Sequence, residues 1–334
     1  MKLNIFVSWH GICFFFREHV KFSDKLGKAM KIRHFTRWVV AVSIAAPIAV
    51  ASGQASAITV TPDTSAASLV STLFTGSPGL TITGSSLSGH VDGAAASSGT
   101  YTNGAGTYGI GSGVILSSGN VSDYGTGANT ETGKTTNFGG LNASPATAAQ
   151  ELLLDPITGG SFDHFDVTQL DLTFDAGAGV DRVFFNVVFG SDEYDEFVGT
   201  SFIDAFGIYL NGVNIATFAG DPVNNDHPNM EFLGGTELDG LLDPTGLSGD
   251  PIMLFEGLVT PGSTGNTLTF IIADSGDSAL DSTVYIEGFG TTDPGGGTPG
   301  GGDGEPIPEP ASMTVFGLGL LGLAWARRRR SRTA

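Results

Sequence analysis

Between residues 58 and 291, the apolar residues of this chain come in short runs that glycine, asparagine and aspartate interrupt. Many runs alternate apolar with polar residues or are rich in β-branched and aromatic residues, which is typical of β-strands. Nine segments with this pattern are predicted to be strands: 80–83, 114–117, 167–174, 182–189, 205–210, 213–218, 252–258, 268–273 and 283–289. Many short strands without regular intervening helices predict a mainly β domain, an antiparallel β-sandwich or jelly roll.

Asn211-Gly212 joins two of these segments, 205–210 and 213–218. Both residues of this dipeptide tolerate the positive φ that a two-residue hairpin turn requires. The sequence therefore predicts a β-hairpin at this position.

Helical periodicity is short and occurs twice. Asp63 or Thr64 is expected to cap a first helix that ends at Gly76, and residues 146–154 are expected to form a second helical turn or two. The glycine-, serine- and threonine-rich stretch 85–113 leaves two alternatives open, a loosely ordered segment or further strands.

Lys134 and Arg182 are the only basic residues between positions 58 and 310, where 32 acidic residues give a net charge of −30. Such a surface repels nucleic acid and anionic lipid headgroups, so no nucleic-acid partner is expected, and it attracts cations. Cys13 is the only cysteine. Because it precedes residue 58, the acidic part has no disulfide scaffold, catalytic cysteine or cysteine-based zinc site.

Two segments, 189–212 and 268–286, each have a strand that leads into an acidic loop and then a second strand. Loops dense in carboxylates, without lysine or arginine, supply the oxygen ligands that calcium prefers. The candidate calcium ligands are Asp192, Glu193, Asp204, Asp274, Asp277 and Asp281. Neither segment has EF-hand spacing. The alternative is that these acids cap turns and solvate loops.

The C-terminal region has three parts. Pro308-Glu309-Pro310 is followed by the apolar run 311–326 and then by four arginines, Arg327, Arg328, Arg329 and Arg330. A run of 16 residues is shorter than the roughly 20 that cross a bilayer comfortably, and arginines on one side stop transfer. We therefore expect a marginal, temporary transmembrane helix, which the glycine- and proline-rich linker 292–307 separates from the β domain.

The N-terminal region, 1–57, has the pattern of a secretory signal peptide. Met30 begins a short basic segment, residues 38–51 are mostly apolar, and Ala55-Ser56-Ala57 has the small residues of a cleavage site. We expect cleavage after Ala57 and Met30 as the true initiator. The alternative is a long natural N-terminal region that starts at Met1.

Enzymatic motifs are weak. The G-x-G-x-x-G match at 317–322 lies in the apolar tail, without the strand that a dinucleotide site requires. His90, His164 and His227 have no metal-binding spacing and are expected at the surface or in turns, and no G-x-S-x-G elbow occurs.

Four aromatic residues near the acidic loops, namely Tyr194, Phe197, Tyr209 and Tyr285, have two interpretations. They are placed to stack on sugar rings at the rim of the domain. Core-facing strand positions produce the same alternation, and this second interpretation is favoured.

The tail with Pro308-Glu309-Pro310, its apolar run and its arginines resembles the PEP-CTERM sorting signal of bacteria. This resemblance implies that an exosortase reads the signal and that the protein goes to the cell surface or extracellular matrix. The segments 189–212 and 268–286 resemble the choice-of-anchor L domain, and the resemblance covers most of 58–291. It implies an exported, mainly β domain at the cell surface.

We therefore expect a protein that the Sec machinery exports and that its C-terminal helix holds at the inner membrane until an exosortase acts. Its expected role is a non-enzymatic surface or matrix component with calcium as a stabilising ion. Two alternatives remain open at this point. One is a carbohydrate-binding module for exopolysaccharide, and the other is a secreted glycan-active enzyme.

Overall fold

The structure is a computed structural model that describes residues 7–8, 11–12, 58–74, 76–160, 162–246 and 249–299. The chain divides into two units, residues 1–52 and 53–334. In the first unit the described structure is an antiparallel pair of short strands, β1 (Val7–Ser8) and β2 (Gly11–Ile12).

Several predictions from the sequence lie outside the described residues. These are the initiator Met30, the cleavage site at Ala55 and Ala57, Pro308-Glu309-Pro310, the apolar run 311–326 and Arg327 to Arg330. They stay predictions. Within the described part of the chain, no helix is long and apolar enough to cross a membrane.

The second unit contains short strands and two α-helices. The helices are α1 (Ala66–Leu73) and α2 (Ala148–Thr158), and short 3₁₀ turns lie at Thr107–Gly109 and Val121–Tyr124. The strands are β3 (Ile58–Pro62), β4 (Leu80–Ser88), β5 (Val91–Asp92), β6 (Ala95–Ala96), β7 (Ser98–Asn103), β8 (Gly113–Ser117), β9 (His164–Ala176), β10 (Arg182–Ser191), β11 (Ala205–Leu210), β12 (Val213–Asn214), β13 (Thr217–Phe218), β14 (Asp221–Pro222), β15 (Met230–Glu231), β16 (Gly240–Leu242), β17 (Met253–Leu258), β18 (Asn266–Ser275), β19 (Ser282–Gly290) and β20 (Thr298–Pro299).

Two large sheets organise these strands. The first has nine strands in the order β15-β16-β10-β19-β8-β7-β3, with β17 beside β10 and β20 beside β17. The second has the order β12-β11-β18-β9-β4. Apart from the parallel β17–β20 pair, the strand pairs within these two sheets are antiparallel.

Phenylalanine side chains join the two sheets. The rings of Phe185 on β10 and Phe270 on β18 meet edge to face with centroids 5.5 Å apart, and Phe189 on β10 stacks on Phe206 of β11 at 6.4 Å. All four are fully buried in one continuous core. Because these pairs connect strands of different sheets, the sheets pack face to face, as the predicted mainly β, sandwich-like class requires. The jelly-roll alternative stays a prediction.

The helices differ from the prediction at their ends. Ser65 caps α1, rather than Asp63 or Thr64, and its hydroxyl accepts from Ser68 N–H at 3.4 Å. Asp63 instead accepts from the N–H of Ser65 itself. The helix also stops before the predicted end, since Phe74 is already extended.

The second helix is longer than predicted. It begins after Thr147, which forms a capping box with Gln150, and it continues through Pro156 to a left-handed Gly159. Leu154 and Ile157 pack on the outer face of the second sheet. This tertiary burial extends the helix beyond the end that its own sequence pattern indicated.

The predicted hairpin is confirmed at its turn. Leu210 pairs with Val213, and Asn211 and Gly212 both have positive φ, at 52° and 84°. The second strand is shorter than predicted, because the Asn214 carboxamide accepts the N–H groups of Ile208 and Ala216 and interrupts the ladder. The predicted strand 213–218 is therefore two short strands, β12 and β13.

The other eight predicted strands correspond to β4, β8, β9, β10, β11, β17, β18 and β19, most with ends that extend by one to five residues. The stretch 85–113 is not loosely ordered, because it contains β5, β6, β7 and parts of β4 and β8. Its serines and threonines have neighbours on other strands, such as Thr100 opposite Thr61. The β7 pairing with both β3 and β8 is a long-range contact that local composition did not indicate.

Candidate metal centre

The predicted ligands lie where strands of both large sheets end. Asp192 and Glu193 follow β10, Asp281 precedes β19, Asp204 precedes β11, and Asp274 is near the end of β18. These five are almost completely buried, each at most 2% exposed. The sequence prediction that the two acidic loops meet at one end of the domain is therefore consistent with the structure.

Asp204 connects the two sheets at this end. Its Oδ1 accepts a hydrogen bond from Ser275 N–H at 3.1 Å, and its Oδ2 accepts from the Ser282 hydroxyl at 2.7 Å. Ser275 ends β18 of the second sheet and Ser282 begins β19 of the first. A main-chain bond from Asp192 N–H to Asp281 C=O, at 3.1 Å, adds a link between the loops.

Asp192 has protein partners for both carboxylate oxygens. Oδ1 accepts from Asp239 N–H and Oδ2 from the buried Tyr124 hydroxyl, each at 3.1 Å. These bonds hold the loop after β10 against the first sheet. Asp192 therefore has a structural role in the cluster besides any contact with a cation.

The remaining buried carboxylates are not satisfied in this way. Both oxygens of Asp274, Oδ2 of Asp281 and Oε2 of Glu193 have no hydrogen bond of regular geometry. A buried carboxylate without partners is costly and is normally paired, protonated or bound to a metal. These oxygens are the strongest feature of the cluster.

Asp277 differs from the other five candidates. It is half-buried, and its Oδ1 accepts the N–H of Ala279 two residues later at 2.9 Å. This is an Asx turn, which is the turn-capping role that the alternative interpretation assigned to the acids. Its charge still acts on Glu193 and Asp204.

Two members of this region were missed by the sequence reasoning. Asp166 is fully buried, and neither of its oxygens has a regular hydrogen bond. It lies at an irregularity where β9 pairs with β18, at φ 47°. Asn225 is also fully buried with an unpaired Oδ1, and its N–H donates to Asp204 C=O at 3.3 Å. Neither residue belongs to an acidic run, so only long-range contacts indicate their place.

Burial dominates the electrostatics. Desolvation raises the pKa of Asp192 to about 8 and that of Glu193 to about 10, with Asp204 adding repulsion at Glu193. Burial likewise raises the pKa of Asp281 and of Asp166, each to about 7. Ser144 and the Phe138 main chain lower the pKa of Asp166 in part. For Asp204 and Asp274, burial and neighbouring carboxylates raise the pKa well above its ordinary value.

No basic side chain of the described residues offsets this charge. Lys134 pairs with Glu131 at 2.9 Å, and Arg182 pairs with Asp181 and Glu256. Both of these cations lie in surface pairs, outside the buried cluster. The arrangement therefore attracts a hard cation or protons, because no other positive group is at hand.

A second group of possible ligands lies on α2 and β9. The ligand atoms of Glu151, Asp155 and His164 are within 4.8 Å of one another. However, Glu151 Oε2 is already 2.5 Å from His164 Nδ1, and Nε2 of this buried ring has no partner. A metal on Nδ1 would require a proton on Nε2, which would then be a buried donor without an acceptor. The geometry fits a Glu–His hydrogen bond better than a metal site.

The histidine predictions are corrected in part. His164 is fully buried in a strand, so its expected place at the surface or in a turn is wrong. His227 is in a turn but is also buried, with Nε2 at 3.1 Å from Phe218 C=O. His90 is half-buried and stacks on Phe138 at 5.2 Å.

The aromatic residues divide as well. Tyr209 and Tyr285 are buried, as the favoured interpretation of core positions predicts. Tyr194 and Phe197 are half-buried beside the acidic loop. Tyr194 meets Phe232, which is 61% exposed, edge to face with centroids 5.0 Å apart.

Comparison with known proteins identifies two families. The choice-of-anchor L domain matches residues 58–290, and the PEP-CTERM protein-sorting motif matches residues 306–330. No curated protein matches the chain. Among solved structures, a CBM35 from Paenibacillus barcinonensis is 14% identical and covers 48% of this chain and 96% of its own, with a TM-score of 0.15. That score is too low to support a shared fold. On the match across its β domain and its tail, the chain belongs to the choice-of-anchor L domain family and has a PEP-CTERM sorting motif, the mark of an exported, surface-directed protein.

Proposed function

We propose that this protein is a non-enzymatic component of the cell surface or extracellular matrix, sorted by an exosortase, whose β domain a divalent cation stabilises. Export through the Sec machinery and a temporary stay at the inner membrane precede its delivery. The main support for the cation is the unpaired Asp274 carboxylate, buried among Asp204, Asp281 and Asp166. Calcium is the expected ion, since it accepts oxygen ligands in irregular geometry.

The cation has a mechanical consequence in this fold. Asp204 and Asp274 belong to the second sheet, while Glu193 and Asp281 belong to loops of the first. An ion between them neutralises repulsion at the end where the two sheets meet and fastens the sheets together. A surface component with such a link resists unfolding wherever calcium is present outside the cell.

Thermal melting of the purified full-length chain in detergent tests the proposal. At calcium about 100 times its dissociation constant, binding adds about 2.7 kcal/mol, or roughly 5–10 °C in Tm for a domain of this size. Equal melting temperatures in calcium and in chelator would remove the cation from the proposal.

Matched variants separate a bound ion from a general salt effect. Asp274→Asn removes a charge that has no partner, so we expect the calcium response to disappear without loss of Tm in chelator. Asp92→Asn removes an exposed aspartate charge outside the cluster and serves as control. If both variants keep the full calcium response, the ion binds elsewhere.

The exposed Phe232 beside Tyr194 favours a second candidate, a module that binds exopolysaccharide. An aromatic face that remains open to solvent stacks on sugar rings. A glycan array with the full-length chain tests this, with Phe232→Ala expected to lose binding. Leu258→Ala, at another exposed apolar position, is the control. Turnover of a bound glycan would instead favour a glycan-active enzyme, and the absence of both leaves the structural role.

A further inference from the structure

The size of a calcium coordination sphere limits how many of these carboxylates one ion can contact. Calcium holds oxygens at about 2.4 Å, so two oxygens on one ion lie at most about 4.8 Å apart. Among the described residues, the set of three acidic or histidine side chains that meets this limit is Glu151, Asp155 and His164. No three carboxylates of the buried cluster meet it, so one cation contacts at most two of them.

Unpaired oxygens nevertheless belong to four buried residues of the cluster. These residues are Asp166, Glu193, Asp274 and Asp281, which are 0%, 2%, 1% and 0% exposed. One ion that contacts two of them leaves the other two without a partner. The cost of a buried unpaired carboxylate applies to each one separately.

The electrostatic neighbours divide the cluster into two groups. Asp166 is among the main influences on Asp274 and Asp281, whereas Asp277 is among those on Glu193 and Asp204. The first group is on the β9–β18 side, where the four oxygens of Asp166 and Asp274 are all unpaired.

The second group contains Glu193 and Asp204, which act directly on each other. Asn225 provides an unpaired neutral oxygen beside it, because its N–H binds the Asp204 carbonyl. Asp281 influences both Asp204 and Asp274 and therefore lies between the two groups.

We propose that the cluster holds two divalent cations, one between Asp166 and Asp274 and one between Glu193 and Asp204. This inference rests on the proposed function, which requires only that a cation binds. Two divalent cations carry the four positive charges that neutralise these four carboxylates. Ser118 beside Asp274 and the Asn225 carboxamide supply neutral oxygens to the first and second positions.

The experiment is a count of bound calcium on the full-length chain in detergent. The protein is stripped with chelator, titrated with calcium by isothermal titration calorimetry, desalted and analysed for metal by mass spectrometry. We expect two calcium ions per chain. One ion per chain would overturn the two-site inference and leave the proposed function intact, with protons on the remaining carboxylates. No bound ion would overturn both.

Single variants assign the two positions. Asp166→Asn keeps a residue type that tolerates positive φ and is expected to reduce the count from two to one. Glu193→Gln is expected to do the same, and the double variant to bind none. Asp92→Asn, an exposed control, should keep two.

The wild-type count decides the question even if a variant does not fold. If Asp166→Asn folds and still binds two ions, Asp166 is not a ligand and the first position is wrong.

Discussion

The Ser282 hydroxyl donates a hydrogen bond of 2.7 Å to Oδ2 of Asp204, and this contact joins β19 of the large sheet to the start of β11 in the other sheet. Both residues are fully buried. The bond lies at the end of the domain where the unpaired carboxylates also meet, so the stability of this end depends on a few polar contacts.

Removal of this hydroxyl should be costly. Ser282→Ala leaves a buried carboxylate oxygen with one partner fewer, and we expect a loss of about 1–3 kcal/mol in the free energy of unfolding, measured with urea. Ser86→Ala removes a hydroxyl that bonds Asp171 at an exposed position and should change stability by less than about 0.5 kcal/mol. Equal effects of the two variants would contradict the role of the Ser282 contact.

Stability without calcium should fall as the pH rises. Burial raises the pKa of Asp192 to about 8 and of Asp166 and Asp281 to about 7, above the roughly 3.9 of an unfolded aspartate. The folded state then binds more protons than the unfolded state between about pH 4 and pH 8, so this stabilisation is present at low pH and is lost across that window.

Urea unfolding in chelator at several pH values measures this slope. With saturating calcium the slope should flatten or reverse, because the cation replaces the protons. Identical pH profiles with and without calcium would contradict the interpretation that protons and cations compete for the same carboxylates.

Gly119 has no room for a side chain. A Cβ at this position would overlap the carboxylate of Asp281, so Gly119→Ala should displace Asp281, destabilise the domain by about 1–3 kcal/mol and weaken calcium binding. Gly127→Ala is the control, since its Cβ would meet no atom within 4 Å and its φ is not positive. Calorimetry and urea unfolding of both variants check the prediction, and equal calcium affinity in Gly119→Ala would contradict it.

The hairpin turn provides a test that is independent of the cluster. Gly212 has φ 84°, so Gly212→Ala should cost about 1 kcal/mol in the free energy of unfolding. Gly179→Ala, at an open position without positive φ, should cost little. Because the turn is separate from the carboxylates, calcium stoichiometry should stay unchanged in both variants, and a changed stoichiometry would contradict that separation.

The sorting tail makes its own prediction. If the apolar run 311–326 is a temporary anchor, protein recovered from the cell surface should lack Arg327 to Arg330, whereas protein from the membrane fraction should retain them. Intact-mass analysis of the two fractions measures this. The intact tail on all exported molecules would contradict temporary anchoring.

The sequence predicted the fold class and most long strands, because a period of two in hydrophobicity is a local property of the chain. β11 has its predicted bounds, and the turn at Asn211-Gly212 is confirmed. The strand β7 was missed, because its stability comes from pairing with β3 and β8. The Ser65 cap was also missed, because three polar residues in succession, Asp63, Thr64 and Ser65, offer the same local signal.

By itself the sequence determined the charge, the lack of cysteine in the acidic part, the alternation that makes strands and the sorting motif. Each of these can be found in residues that are neighbours along the chain. Only the tertiary structure decided which acids are buried, which of them keep unpaired oxygens, and that Asp166 and Asn225 join the predicted loops. The physical reason is that burial and partnership arise from strands distant in sequence that end at one place, which no local pattern records.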